Sequence, residues 1–196
     1  MVEDIQLAWP SDTDLSPRTL RTAFGAFPSG VAAVAALVDG QPQGLTASSF
    51  TSVSLDPPLV SVCMAHTSTT WPILAPLEHI GLSVLSVEQE RLAAALAAKG
   101  RDRFVGAGWV ASETGAVLLH GSALWLDCVV HRSVPAGDHD IVLFEICQLR
   151  VFPKAMPLVF HGSRFRHLAL EMAGQAHPAR SAWSGAPEPC SCGWCT

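Results

Sequence analysis

Residues 122–152 read SALWLDCVVHRSVPAGDHDIVLFEICQLRVF, and this stretch decides the fold. Its two arms, Ser122 to Val134 and Asp140 to Phe152, are rich in apolar and β-branched residues, and Pro135-Ala136-Gly137 between them reads as a hairpin turn. They are the longest strand candidates in the chain, and shorter ones stand on the N-terminal and C-terminal sides. The run Val31 to Val38, the turn Asp39-Gly40 and the resumption at Gly44 predict a second hairpin, while Leu59 to Met64, Ile80 to Leu85 and Leu158 to His161 predict single strands. Helical signals are few. Ser16 as cap, Pro17 at the first position and Leu20, Ala23, Phe24 and Phe27 on one face predict a helix over 16–27. A short helix is expected over 67–74, and Ser86 with Gln89 forms a capping box for one over 88–99, ended by Gly100. A mainly β chain with two or three helices favours a closed or split β-barrel over a doubly wound sheet. No GxGxxG follows a strand, which argues against a Rossmann dinucleotide site.

The 196 residues suffice for one domain with a full core, and 49% hydrophobic against 15% charged residues places the chain in the globular class. A net charge of −5 with only 12 Lys and Arg, scattered, argues against a nucleic-acid partner. Four prolines interrupt the longest uncharged stretch, Pro57 to Leu77, so no membrane-spanning helix is expected. The acidic N-terminus lacks a signal-peptide pattern, and Cys63, Cys128 and Cys147 sit singly in apolar runs, so a cytoplasmic location is expected. Residues 1–15 read as a flexible leader, 16–170 as the domain and 171–196 as a disordered tail containing Pro and Cys. In that tail Cys190, Cys192 and Cys195 lack the paired spacing of a dependable zinc site, and no metal is assigned.

Four segments carry candidate chemistry. Gly44-Leu45-Thr46-Ala47-Ser48-Ser49 offers hydroxyls, amides and small side chains that let a flat heterocycle approach the backbone. Read alone it favours an ordinary Ser/Thr-rich edge strand facing water, with Thr51 to Asp56 serving the turn into the next strand. Thr67-Ser68-Thr69-Thr70 is a potential anion site whose plainer reading is helix capping. Lys99-Gly100-Arg101-Asp102-Arg103-Phe104 can present a guanidinium fork to phosphate and a ring to an aromatic ligand, or be a solvated helix end. In Gly137-Asp138-His139-Asp140 a turn explains the first two residues but not His139, which stacks on a ligand, bonds to one, or is an exposed turn residue. Neither GxSxG nor HExxH is present.

Taken in order, FGAFPSGVAAVAALVDG, GLTASSFTSVSLDPPLVSVCM, HTSTTWPIL, AAKGRDRFVG, ALWLDCVVHRSVPAGDHDIVLFEI and PLVFHGSRFRHL, over about residues 24–168, resemble the short-chain flavin reductases that serve two-component flavin-dependent monooxygenases and halogenases. The resemblance implies an FMN-binding split β-barrel, normally a homodimer, that moves hydride from NADH or NADPH onto FMN or FAD and releases the reduced flavin. It implies that Ser29, Gly30, Thr46, Ala47, Ser48 and Ser49 line the flavin, and that Cys63, Ser68 and Thr70 lie near its ring edge and phosphate. By the same resemblance Arg103 and Phe104 close over the flavin, while Gly137, Asp138 and His139 serve the nicotinamide side, with His139 the catalytic-site candidate as a positioning group. Other readings stay open: a protein that keeps its flavin for another redox step, or a non-catalytic flavin-binding module. The chain departs from the family in having no tyrosine, so that Phe160 and Phe165 stand where Tyr is frequent, and in lacking an asparagine in EHIGLSVLS. The choices between FMN and FAD and between NADH and NADPH are open, the adenylate of FAD being expected on solvent-facing surface.

Overall fold

The computed structural model describes residues 13–169 except 99, 101 and 102. Residues 1–12 of the leader, the whole tail with its CSCGWCT end, and Lys99, Arg101 and Asp102 of the basic loop therefore lie outside the described residues.

Ser16 starts helix α1 (Pro17–Phe24), its Oγ accepting the Thr19 amide at 3.3 Å. The helix stops short of Phe27, because Pro28 forces the residue before it out of the helical region; the chain exits through the tighter bonds Ala26 N to Ala23 O and Phe27 N to Phe24 O. Strands β1 (Ser29–Gly30) and β2 (Ala32–Val38) follow, and Asp39 and Gly40, with φ of 52° and 73°, turn β2 into β3 (Gln41–Ala47) as a two-residue hairpin.

The next segment corrects the expected turn over Thr51 to Asp56. Thr51–Leu55 is itself a strand, β4, paired with β5 (Pro58–Ala65), and only Asp56 and Pro57 turn the chain. Alternating Thr, Ser and Val suit a half-exposed pleat better than a loop. Helix α2 (Trp71–Leu74) is a single turn, shorter than expected. After β6 (Ile80–Val84), the Ser86 amide donates to Gln89 Oε1 at 2.9 Å, and a 3-10 turn (Val87–Gln89) leads into α3 (Glu90–Ala97). Ala98, in extended conformation, ends α3 before Gly100 is reached.

Beyond β7 (Trp109–Ala111) and β8 (Val117–Leu119) come the two long strands, β9 (Leu124–Ala136) and β10 (His139–Val151). Pro135 and Ala136 belong to β9, so the turn is Gly137-Asp138 alone, with Gly137 at φ 69°. Proline is tolerated there because β6 covers β9 only from Leu124 to Cys128, leaving the far end on a free edge. The final hairpin, β11 (Val159–His161) and β12 (Arg164–Arg166), turns at Gly162 and Ser163, both at φ 59°; a serine in that conformation hid the turn from sequence reading.

The main sheet runs β3-β2-β6-β9-β10-β5-β4, antiparallel throughout, and β1-β11-β12 form a small second sheet. The seven strands curl until the β3 end faces β5, yet no backbone ladder closes the ring among the described residues. Instead Ser49 Oγ accepts the Cys63 amide at 2.9 Å, so a side chain spans the opening of the barrel.

Residues on alternate faces of β2 serve two cores. Val34 and Ala36 point to the cluster inside the curl, with Met64, Leu82 and Phe144, while Ala33 joins Val31, Leu96, Leu119 and Leu158 under α3. Phe144 is fully buried and meets Trp71 edge-on at 6.0 Å, and Phe160 meets Phe165 likewise at 5.6 Å. A Cβ on Gly81 would lie 2.1 Å from the Val117 carbonyl oxygen, so β8 crosses β6 at backbone contact.

Candidate functional site

The C-terminal half of β3, the end of β5, the Thr67–Thr70 loop and the end of α3 enclose a cavity of about 390 Å³, at the low end of small-molecule sites. Thr46, Ala47, Ser48, Ser49 and Cys63 line it along the strands. Ser68, Thr70, Arg103 and His139 reach it from three other directions. A second cavity of about 720 Å³ adjoins it, bounded by Gln41 to Gly44 of β3 and by Phe104, and both cavities share Thr69, Thr70 and Arg103. Gly137 and Asp138 line neither; they form the turn that delivers His139. Ser29 and Gly30 also line neither, being paired with Phe160 and Val159 in the small sheet.

Several hydroxyls of the cradle hold the fold together. Thr46 Oγ1 donates to the Ala93 carbonyl at 3.4 Å, fastening β3 to α3, and Ser49 bridges to Cys63. Ser68 Oγ accepts the Trp71 amide at 3.0 Å, the plain capping role. Ser48 is exposed, and no hydrogen bond within the chain engages its hydroxyl among the described residues.

Arg103 is the electrostatic centre. Its Nη1 donates to Thr70 Oγ1 at 2.8 Å and to the Gly44 carbonyl at 3.1 Å, while its Nε is buried without a partner. Gly44 permits the approach: a Cβ there would stand 2.9 Å from Phe104 Cζ and 2.8 Å from Ala35 Cβ. A guanidinium has five donors and no acceptor, so an oxyanion facing these cavities would meet donors the protein leaves free. No other permanently charged side chain among the described residues lines either cavity.

At the opposite side His139 Nδ1 lies 2.7 Å from Asp138 Oδ1, and that contact holds the Asp138 carboxyl below its ordinary range. The His66 amide donates to the Asp138 carbonyl at 3.0 Å, and His66 Nε2 lies 3.1 Å from Asp140 Oδ1, so the turn is braced from β5. Sequence reading missed the apolar wall of Leu96 and Ala97 and the β5 residues Met64 and Ala65. They carry no polar signal: Met64 and Ala65 are plain strand residues of β5, and only the packing of α3 beside β3 brings Leu96 and Ala97 there.

Among the described residues no group of three or more His, Cys, Asp or Glu could hold a metal. What the site offers is orientation: a strand-end cradle, hydroxyls, one guanidinium whose Nη2 is not engaged within the described residues, and one imidazole. These fit a flat heterocycle carrying a phosphate.

Comparison with known proteins identifies the family. A family model described as flavin reductase like domain matches residues 24–169. The actinorhodin polyketide dimerase of Streptomyces coelicolor is 41% identical over 150 residues, 76% of this chain and 85% of that protein. The NADH:FAD oxidoreductase of Streptomyces globisporus, solved with NAD and FAD fragments, matches with a TM-score of 0.76 and 38% identity, covering 82% of this chain and 98% of that one. The flavin reductase component of a bacterial two-component tryptophan halogenase matches at 0.72 with 34% identity, covering 79% and 99%. The protein belongs to the family of flavin reductase like domains.

Proposed function

We propose that this protein is an NAD(P)H:flavin oxidoreductase that reduces FMN or FAD and passes the reduced flavin to a separate monooxygenase or halogenase. The observation that carries this reading is the convergence of the Thr46–Ser49 strand end, the Arg103 guanidinium and His139 around one cavity. A bound flavin supplies the hydride-accepting ring. The protein needs no nucleophile for this; it contributes position and electrostatics. Ala47 and Ser48 let a ring lie against the β3 backbone, Arg103 holds a phosphate, and Leu96 with Ala97 walls off water. His139, oriented by Asp138, stands at the rim where a nicotinamide would enter. Since the cradle is half open and several of its hydroxyls are engaged within the fold, retention is weak, as release of a product requires.

The reading includes a homodimer and a cytoplasmic location. Supporting the first, α1 buries none of its own residues, and Phe24 and Phe27 are 70% and 78% exposed, an apolar pair that a second copy would cover. For the second, no helix among the described residues is long and apolar enough to cross a membrane.

Following the absorbance of reduced nicotinamide with added FMN, with added FAD and without flavin tests the activity. Flavin-stimulated oxidation is expected. Reduction of a bound coloured cofactor that ignores added flavin would replace this reading with that of a flavin-retaining protein, and binding without turnover would leave a non-catalytic module.

A further inference from the structure

Two histidines stand at the tip of the long hairpin, and the proposed activity uses one of them. His139 lines the smaller cavity, whereas His66, one residue past the end of β5, lines neither cavity, and nor does Asp140. Asp140 is the neighbour of His139 along β10, so the pleat turns its side chain away from the direction His139 takes. The tip itself needs support from outside. Strand β6 covers β9 only from Leu124 to Cys128, and β9 is exposed from His131 to Ala136, so among the described residues β5 is the single strand beside the far end of the hairpin. It ends at Ala65, opposite His139.

Resting on the reductase reading, we propose that His66 is a positioning residue for the nicotinamide, acting through its bonds to Asp138 and Asp140 to hold His139 at the cavity rim. Those two bonds bracket His139 in sequence. The His66 amide donates to the Asp138 carbonyl at 3.0 Å, and His66 Nε2 lies 3.1 Å from Asp140 Oδ1. A carboxylate only accepts, so Nε2 carries the proton of that bond. The Asp138 carboxyl, held below its ordinary range chiefly by its bond to His139, is lowered further by the charge of His66, which places the two side chains close together. Asp138 is 96% exposed on its side chain, so packing does not fix the turn. An exposed ion pair adds little to stability. One that sets the angle of a group facing a substrate matters through geometry, because a misplacement of about 1 Å is enough to slow a reaction.

Variants of the full-length protein test this. His66→Leu removes the imidazole and keeps the amide, His66→Gln keeps an N–H donor at similar reach, and Asp140→Ala removes the acceptor. With NADH and FMN as substrates, His66→Leu and Asp140→Ala should each raise KM for NADH about 3- to 10-fold, the worth of one hydrogen bond, while KM for FMN stays within about twofold. His66→Gln should recover most of the loss. Because the tie acts through His139, adding His66→Leu to His139→Ala should raise KM for NADH no further than His139→Ala alone. Effects that multiply would overturn the proposal. So would a rise in KM for FMN equal to that for NADH, which would assign His66 to the Thr67–Thr70 loop that follows it. If no flavin were reduced, the reductase reading would fail by itself, and hydrogen exchange would still judge the tie. Protection of the His66 amide should drop by at least about tenfold in Asp140→Ala, and unchanged protection would refute it.

Discussion

Replacing Arg103 with methionine keeps the stem of the side chain and removes every donor. Within the protein, Gly44 O and Thr70 Oγ1 lose their bonds at 3.1 and 2.8 Å, and Thr70 is only 7% exposed, so water replaces the lost partner poorly. Leaving such acceptors unpaired costs about 1–3 kcal/mol each, and the β3 edge relaxes enough that a total of roughly 2–4 kcal/mol is expected. Toward the ligand, the variant loses a charge-assisted contact to phosphate worth about 1.5–3 kcal/mol, equivalent to a rise of about 10- to 100-fold in KM for FMN. Riboflavin has the same ring and no phosphate, so it separates the two effects. Steady-state KM values for FMN and riboflavin, with chemical denaturation of both proteins, give the answer. The ratio of the KM for FMN to the KM for riboflavin should rise by at least about tenfold in the variant. An unchanged ratio with both values raised would refute the phosphate role and leave Arg103 as a clamp between β3 and the Thr67–Thr70 loop.

His139→Ala should raise KM for the pyridine nucleotide about 3- to 10-fold, the worth of one hydrogen bond, with flavin affinity nearly unchanged; equal losses on both substrates would remove His139 from the nicotinamide side. Gly81→Ala forces a Cβ to within 2.1 Å of the Val117 oxygen, and because that atom is backbone the strands must part. A loss of at least about 3 kcal/mol is expected, and a denaturation midpoint matching wild type would show that β8 is free to move off β6. Burial pushes the Cys128 thiol from 9.0 up to about 12, with Cys147 and Asp127 adding to the shift. In the unfolded chain that thiol ionises first, so its effect on stability is absent below pH 9.0 and stability falls as pH rises from there toward about 12. Cys128→Ala should flatten that alkaline decline in urea titrations, and alkylation at neutral pH should leave Cys128 unmodified in the folded protein.

The long hairpin, the Asp39-Gly40 turn and the β6 strand were legible because each is written in local chemistry: β-branched runs, a turn residue suited to positive φ, an apolar stretch of strand length. Where local signals conflicted, position in the sheet decided. Thr51–Leu55 looked like a turn because its hydroxyls suggest loops, yet it is an edge strand whose polar face needs no burial. Pro135 looked like a breaker, yet it lies in β9 beyond the reach of β6. The capping box at Ser86 and Gln89 was read correctly in its bond from the Ser86 amide to Gln89 Oε1, but the helix behind it is shorter because Ala98 turns extended.

By itself the sequence determined the family, through motifs recognised in order over residues 24–168, and that resemblance named most of the residues that line the smaller cavity, whereas each segment read alone favoured an ordinary edge strand, cap or turn. Only the tertiary structure decided what each of them does. Thr46 and Ser49 are engaged in holding α3 to β3 and spanning the open seam of the barrel, roles that exist only once strands distant in sequence lie side by side. The same folding leaves Ser29 and Gly30 in the small sheet, outside both cavities, and puts Arg103 on the wall between them. A motif specifies which donors and acceptors are available; the packing that consumes some of them and leaves others free determines which can serve a ligand.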